Sequence, residues 1–162
     1  MPAARTYSES IEVAAPPAAV YALVSDVTRT GEWSPICTSC RWDEGDAPAP
    51  GASPQVGAHF TGHNEVPGRT WETRSEVVAA DPGREFAWVV GQGFARWGYT
   101  VRPLDGGTRT ELTESWEFTP TGMAFFAEKY GEDAGAQIEA RTRMAHEGIP
   151  ATLAAIRRIA EA

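Results

Sequence analysis

The last quarter of the chain, residues 121–162, carries the apolar pattern that most restricts the possible fold. Apolar residues recur there at steps of three and four, which is typical of an amphipathic helix. The residues of this stripe are Met123, Phe126, Tyr130, Ala134, Ile138, Ala145, Leu153, Ile156 and Ala160. Thr119 and Pro120 supply a helix start just before it. A helix with one apolar face needs an apolar surface to cover, and the upstream residues must provide that surface.

The length of this helix predicts a break within it. An unbroken helix over residues 122–161 would be about 60 Å long, whereas a folded chain of this size has a diameter of roughly 40 Å. Pro150 lacks a backbone donor and clashes with the preceding turn, so we place the break at Gly148–Pro150. We expect a long helix to about residue 147 and a bent or restarted segment from residue 150.

The residues before this helix alternate between apolar and polar side chains in short segments, which predicts strands. The predicted strands are 6–14, 38–42, 57–65, 70–80, 85–90, 95–102 and 108–118. Two short helices, over 18–24 and 25–33, lie between the first two strands. The turns between the later strands are short, so the sheet is antiparallel. The fold class is therefore α+β, a single domain over residues 1–162 with about seven strands and a long C-terminal helix.

Charge and hydropathy exclude several kinds of partner. The net charge is −8 and no basic run occurs, which argues against nucleic acid and against docking on an anionic membrane. No segment approaches the roughly 20 apolar residues of a membrane span, and residues 1–7 show no apolar signal-peptide core. We therefore expect a cytoplasmic protein, either a monomer or a homodimer, whose partner is a small molecule.

Cys37 and Cys40 form a CxxC motif, which is either redox-active, half of a zinc site or structurally neutral. Zinc would need two further ligands, and the histidines available are His59, His63 and His146. A redox pair would need a thioredoxin-like βαβ pattern, which the surrounding sequence does not show. We expect two reduced cysteines at a strand start, with no metal or cofactor, and we leave a redox role open. His59 and His63 are expected on the outer surface.

Strand alternation places one carboxyl group on an otherwise aromatic inner face. That predicted face includes Phe60, Asn64, Trp71, Thr73, Ser75, Trp88, Trp97, Tyr99, Glu114 and Trp116. Burial of an unpaired carboxylate is very costly. Either Glu114 pairs with Asn64 or Tyr99 inside a solid core, or the inner face borders a cavity. Apolar walls with a few convergent polar groups describe a small-molecule site, so we favour the cavity.

Four segments carry a resemblance to a known superfamily. They are VTRTGEWSP at 27–35, VGAHFTGHN at 56–64, AADPGREF at 79–86 and GGTRTELTESW at 106–116. With the order of elements, they resemble the START-like helix-grip (SRPBCC) superfamily, and within it the bacterial polyketide cyclase/dehydrase and lipid-transport family. The resemblance covers nearly the whole chain. It implies a curved antiparallel sheet that grips the long C-terminal helix, with a deep apolar cavity between them.

The resemblance also implies how a catalytic member would work. Aromatase/cyclases of this superfamily use an arginine, with tyrosines and tryptophans, to polarise carbonyl groups. In this chain, alternation directs Arg74 and Arg96 outward, and Arg69 lies at a hairpin turn. Arg141 or Arg143 of the C-terminal helix would therefore have to supply a cavity arginine.

Two functional hypotheses follow, and a protein–protein role is a minor third. The first is binding of a hydrophobic, aromatic small molecule for transport, sensing or sequestration. Its candidate residues are Trp33, Phe60, Asn64, Trp71, Thr73, Ser75, Trp88, Trp97, Tyr99, Glu114, Trp116, Phe126 and Tyr130. We expect two or three of the six tryptophans to line the cavity. The second is a polyketide cyclase/dehydratase-type enzyme, in which Glu114 is the acid/base and Tyr99 donates to a developing oxyanion.

The C-terminal helix is then expected to be a wall of the cavity as well as a cover for the sheet. Its small residues Gly131 and Gly135, with Ala127 and Ala134, are expected to leave room for a ligand. The expected mouth segments are the loop 43–54 and the turns 66–68 and 91–93.

Overall fold

Seven strands form one antiparallel sheet in the computed structural model, which describes residues 5–162. They are β1 (Arg5–Val13), β2 (Cys37–Trp42), β3 (His59–Val66), β4 (Arg69–Asp81), β5 (Glu85–Val90), β6 (Ala95–Leu104) and β7 (Arg109–Phe118). Their spatial order is β1-β7-β6-β5-β4-β3-β2, so β1 and β2 are the edge strands. The α+β class and the seven predicted strands are confirmed. Residues 1–4 of the predicted domain lie outside the described residues.

Two short helical segments connect the edge strands β1 and β2. Helix α1 (Pro17–Val24) begins at a proline, whose missing N–H is no loss in a first turn. A 3₁₀ helix (Val27–Glu32) follows, and the backbone N–H of Thr28 donates to the Asp26 side chain at 3.2 Å. These are the two short helices that the sequence predicts.

The C-terminal region consists of two helices, α2 (Pro120–Tyr130) and α3 (Ala134–Glu161). The predicted cap is confirmed, since the Gly122 N–H donates to the Thr119 hydroxyl at 3.0 Å. The predicted break at Gly148–Pro150 is wrong, because α3 continues through Pro150. The chain breaks at Gly131 instead, where φ is +55° and only glycine is unstrained. Buried residues on both sides of Pro150, Ile149 and Leu153, keep that part of α3 packed.

Helix α3 is attached to the edge strand β1 along most of its length. The contacts are the Arg5–Glu139 ion pair, the Tyr7–His146 ring stack with centroids 4.0 Å apart, and the Ala14 N–H donating to Glu161 Oε2 at 2.8 Å. These contacts fix the helix in register with the strand.

The solid core lies beneath the C-terminal half of α3. Its fully buried side chains include Val13, Val20, Phe86, Leu112, Ile149, Leu153 and Ile156. The N-terminal half of α3 and helix α2 do not close onto the sheet in the same way. A space remains between these helices and the inner face of the sheet.

Alanine substitutions at Gly131 and Gly135 should change stability in opposite directions. Gly131→Ala should lower the free energy of unfolding by about 1 kcal/mol or more, because an L-residue is strained at this positive φ. Gly135→Ala should raise it by about 0.5 kcal/mol, because Gly135 is helical and nothing lies within 4 Å of an added Cβ. Urea unfolding of both variants measures the effect. Changes of the same sign would contradict this assignment of the helix break.

Candidate ligand-binding cavity

A cavity of about 460 Å³ lies between the inner face of the sheet and helices α2 and α3. This volume is within the range of small-molecule sites, about 300 to 1,000 Å³. All thirteen candidate residues lie on its wall: Trp33, Phe60, Asn64, Trp71, Thr73, Ser75, Trp88, Trp97, Tyr99, Glu114, Trp116, Phe126 and Tyr130. The sequence therefore predicts the position of these side chains, and their part in binding a ligand stays a prediction.

Aromatic rings form most of the cavity wall. On the sheet, the Trp88 ring centroid lies 6.0 Å from Phe60, 5.8 Å from Phe86 and 5.8 Å from Tyr99. A second row runs from strands to helix through Trp97–Trp116, Trp116–Phe118, Phe118–Phe126 and Phe126–Tyr130, with centroids 4.9 to 6.3 Å apart. The wall offers flat surfaces on which a planar ligand can stack.

Five of the six tryptophans line this cavity, so the expectation of two or three is wrong. The exception is Trp42, which packs edge-on against Phe60 with centroids 5.6 Å apart. Alternation along the strands places Trp71, Trp88, Trp97 and Trp116 on one face of the sheet, and Trp33 joins them from the end of the 3₁₀ helix.

Glu114 is the one carboxyl group on the inner wall whose side chain is fully enclosed. It lies opposite Tyr99 in the β6–β7 register, and 4% of its surface is exposed. Among the side chains of residues 5–162, its Oε1 is the one buried polar atom without a hydrogen-bond partner. Burial raises the pKa of Glu114 well above its ordinary value of 4.5, and the Tyr99 hydroxyl opposes this only in part. The neutral form, which can both donate and accept a hydrogen bond, is therefore favoured.

The polar groups around Glu114 have different roles. The Asn64 amide nitrogen donates to the Trp71 carbonyl at 3.3 Å and to the Thr73 hydroxyl at 3.2 Å, so pairing of Asn64 with Glu114 is not observed. Burial, with the nearby Glu114 as the next cause, raises the pKa of Tyr99 well above 10.0. Tyr99 therefore keeps its proton and is available as a donor within the cavity.

One arginine of α3 reaches the cavity. The Arg141 guanidinium carbon lies 5.4 Å from the Phe126 ring centroid and 5.8 Å from that of Trp71, while Arg69 lies 4.1 Å above Trp71. Burial, and then the charge of Arg69, lowers the pKa of Arg141. Neither guanidinium forms an ion pair within residues 5–162. The sequence left Arg141 and Arg143 as alternatives, and Arg141 is the one that lines the cavity.

The expected mouth segments are mostly wrong. Of the three, only the turn at 91–93 reaches the cavity, through Gly91. No residue of the loop 43–54 lines the cavity. Asp43 pairs with Arg74 at 2.7 Å, and Asp46 accepts the His59 backbone N–H at 2.8 Å. The Ser53 hydroxyl shares a hydrogen bond with the Tyr21 hydroxyl of α1 at 2.8 Å. These contacts hold the loop away from the cavity.

The small residues that make room in the helical wall are also different from those expected. Gly131, Gly135, Ala127 and Ala134 are not part of the wall, which includes Ala145, Gly148 and Thr152 of α3. Gly131 instead lies at the helix break, where the backbone has a positive φ that glycine adopts without strain. An added Cβ at Gly148 would touch only the Pro35 side chain, at 3.7 Å, and would project beside the cavity.

Both cysteines line the cavity, which the sequence did not predict. Cys37 and Cys40 are free, half-buried thiols at the start of β2. The strand pattern gives no sign of the irregularity that turns both toward the cavity. His59 and His63 lie off the cavity wall as expected, with Nε2 atoms 3.3 Å from Glu76 and 3.2 Å from Glu65.

Neither a cluster of metal ligands nor a membrane-spanning helix is found in the part of the chain that the structure describes. No group of three or more His, Cys, Asp or Glu side chains within residues 5–162 could hold a metal ion. No helix in this range has the length and apolar character needed to cross a membrane.

Comparisons with known proteins agree with this architecture. The sequence profile described as "Polyketide cyclase / dehydrase and lipid transport" matches residues 4–144. The polyketide-cyclase-like protein Cgl2372 from Corynebacterium glutamicum is 55% identical, with 98% of this chain and 93% of that chain covered and a TM-score of 0.68. The Zhui aromatase/cyclase from a Streptomyces species shares the fold at 21% identity, with coverage of 98% and 94% and a TM-score of 0.67. No protein with a curated description matches the chain significantly.

The raised pKa of Glu114 predicts a pH-dependent stability. In the unfolded chain this carboxyl ionises near 4.5, whereas in the folded chain it ionises at higher pH. Between the two values a rise in pH favours unfolding, by up to about 1.4 kcal/mol per pH unit. Glu114→Gln lacks this ionisation. The unfolding free energy of Glu114→Gln minus that of the native protein should therefore increase from about pH 5 to about pH 8.

Urea unfolding at both pH values measures this difference. Glu117→Gln, on the opposite face of the same strand, is the matched control for removal of one carboxyl group. A difference between native protein and Glu114→Gln that does not change with pH would contradict the buried, neutral state of Glu114.

Proposed function

This chain belongs to the polyketide cyclase/dehydrase and lipid transport family, and on that premise we propose that it binds an aromatic, largely apolar small molecule in its cavity, as a carrier, sensor or sequestering protein. The observation that carries the proposal is the partnerless Oε1 of Glu114 on an aromatic wall. Rotation of the Glu114 side chain toward the cavity would let a bound hydroxyl or carbonyl group supply the missing partner.

The energetics of Glu114 favour a ligand over a purely structural role. A buried polar atom without a partner costs about 1 to 3 kcal/mol. An apolar side chain at this position, beside Leu112 and Trp116, would avoid that cost and would suit a chain that needed only a core. A cavity that receives an oxygen-bearing ligand gives a reason for the carboxyl group.

The distribution of polar groups indicates the chemistry of the ligand. Glu114 and Tyr99 offer hydrogen bonds from the sheet, and Arg141 offers a cation from the helical wall. The surfaces between them are aromatic rings. These features favour a planar, aromatic molecule with a hydroxyl or carbonyl group for the sheet side and a carbonyl or anionic group for Arg141.

Narrowing the cavity from the helix should weaken binding. Gly148→Phe places a ring beside the cavity, whereas Gly135→Phe on the same helix lies off the cavity wall with nothing within 4 Å of its Cβ. We expect naphthol to bind the native protein and Gly135→Phe with affinities within about threefold, and to bind Gly148→Phe at least about tenfold more weakly. Isothermal titration calorimetry measures all three.

Native mass spectrometry of the purified protein complements this test by identifying a co-purified molecule. Equal affinities in the two Phe variants would contradict binding in this cavity, and so would naphthol binding that leaves the tryptophan fluorescence unchanged.

A second candidate is catalysis of the cyclase/dehydratase type. It is favoured by the juxtaposition of a neutral carboxyl, Glu114, with the protonated Tyr99 hydroxyl, because such a pair can protonate a carbonyl oxygen while a new bond forms. The aromatase/cyclase with the same fold supports this candidate only by analogy.

Glu114→Gln separates the two candidates. The amide keeps the shape and can donate a hydrogen bond, but it cannot transfer a proton. If the protein cyclises a linear polyketone, this variant should lose turnover by about a hundredfold or more while keeping affinity within a few-fold. A carrier would form no cyclised product with either protein, and the substitution would change affinity alone. Chromatography of the reaction mixture with calorimetry of the same ligand distinguishes these outcomes.

A further inference from the structure

A β-bulge in β2 places two thiols on the cavity wall. Residues three apart in a regular strand point to opposite faces. In the β2–β3 pairing the register shifts between Cys37 and Ser39, where Cys37 lies opposite Asn64 and Ser39 lies opposite His63. An extra residue of this kind resets the alternation, so that Cys37 and Cys40 both line the cavity.

The two sulfur atoms flank a glycine on the neighbouring strand. A Cβ added at Gly62 would lie 3.2 Å from Cys37 Sγ and 3.6 Å from Cys40 Sγ. Because Gly62 has no side chain, the space in front of the thiols stays open toward the ligand cavity. Both cysteines are free in this structure, so the pair is present as a dithiol.

The two thiols differ in chemical character. The pKa of Cys37 is below that of an ordinary thiol, chiefly because the Cys40 side chain hydrogen-bonds to it, although burial acts in the opposite direction. The pKa of Cys40 is raised by the same contact and by burial. In its thiol form Cys37 donates to the Ser39 carbonyl at 3.3 Å. The pair thus joins a nucleophilic sulfur to a protonated neighbour.

We propose that Cys37 and Cys40 form a covalent attachment site for aromatic enones, with Cys37 as the nucleophile and Cys40 as its proton partner. The proposal rests on the proposed function, because the enone must first enter the cavity. The aromatic walls bind the ring of the enone, and the Tyr99 hydroxyl donates a hydrogen bond to its carbonyl oxygen. Tyr99 and Cys37 line the same cavity.

The reaction is an addition that needs no oxidant. Cys37 gives its proton to solvent, and its sulfur forms a bond to the β-carbon of the enone. The carbon–carbon π bond breaks, and its electron pair passes to the carbonyl oxygen as an enolate. The α-carbon of the enolate takes a proton from the Cys40 thiol, which re-forms the carbonyl group, and solvent then reprotonates Cys40. The product is a saturated ketone joined to Cys37 through a thioether.

The test compares benzylideneacetone, an aromatic enone, with benzylacetone, its saturated analogue. Intact mass spectrometry follows adduct formation, and peptide mapping locates it. We expect one adduct per chain, on Cys37, with a rate that saturates with enone concentration and exceeds that of glutathione by at least about tenfold. Benzylacetone should bind without forming an adduct and should protect Cys37 from the enone.

Three variants complete the design. Cys37→Ser should abolish the adduct, and Cys40→Ser should keep the adduct on Cys37 but slow it. The matched control carries Cys37→Ser, Cys40→Ser and Thr38→Cys, which places a single thiol at an exposed position one residue away. Its rate should equal that of glutathione.

Two results would overturn the proposal. One is an adduct rate in the native protein that equals the rate in the Thr38→Cys control, without saturation. The other is benzylacetone binding that does not protect Cys37. Failure of benzylacetone to bind at all would instead refute the proposed cavity function, so the two failures are distinguishable.

Discussion

The alternation of strand β7 is the constraint on which the rest of the site depends. Thr110, Leu112, Glu114, Trp116 and Phe118 are all buried, and the residues between them face outward. A shift of one residue would expose this entire set, so the register is fixed by the apolar members. Glu114 cannot leave the inner face without the strand turning over. The protein instead holds it in its neutral form on the wall of the cavity.

The helices keep this cavity open through the position of their break. Helix α2 ends at Tyr130, Gly131 caps it with a positive φ, and α3 begins at Ala134. The attachment of α3 to β1 and the burial of Ile149 and Leu153 fix its C-terminal half against the sheet. The N-terminal half and α2 then form a separate wall. A solid core lies beneath the C-terminal half of α3, and the cavity lies beneath its N-terminal half and α2.

Alternation along strands predicts the sheet and most of the cavity wall from sequence, because each strand has a regular two-residue period. It succeeds for Asn64, Tyr99 and Glu114, whose strands are regular where these residues lie. It fails for Cys37 and Cys40, because a bulge changes the period and leaves no mark in a six-residue strand. The helix break was misplaced for a related reason. A proline weakens a helix wherever it occurs, but packing decides whether the helix continues, and packing is not a local property of sequence.

The pairing of β1 with β7 has a consequence for how the chain folds. Arg5 lies opposite Phe118 and Val13 opposite Thr110, so this ladder joins the two ends of the sheet-forming sequence. The hairpins β3–β4, β4–β5, β5–β6 and β6–β7 close over short loops and can form early, whereas β1 must wait for its partner at the far end of the chain. We therefore expect a high contact order and slow folding, with the first strand, and the helix that lies along it, among the last elements to dock.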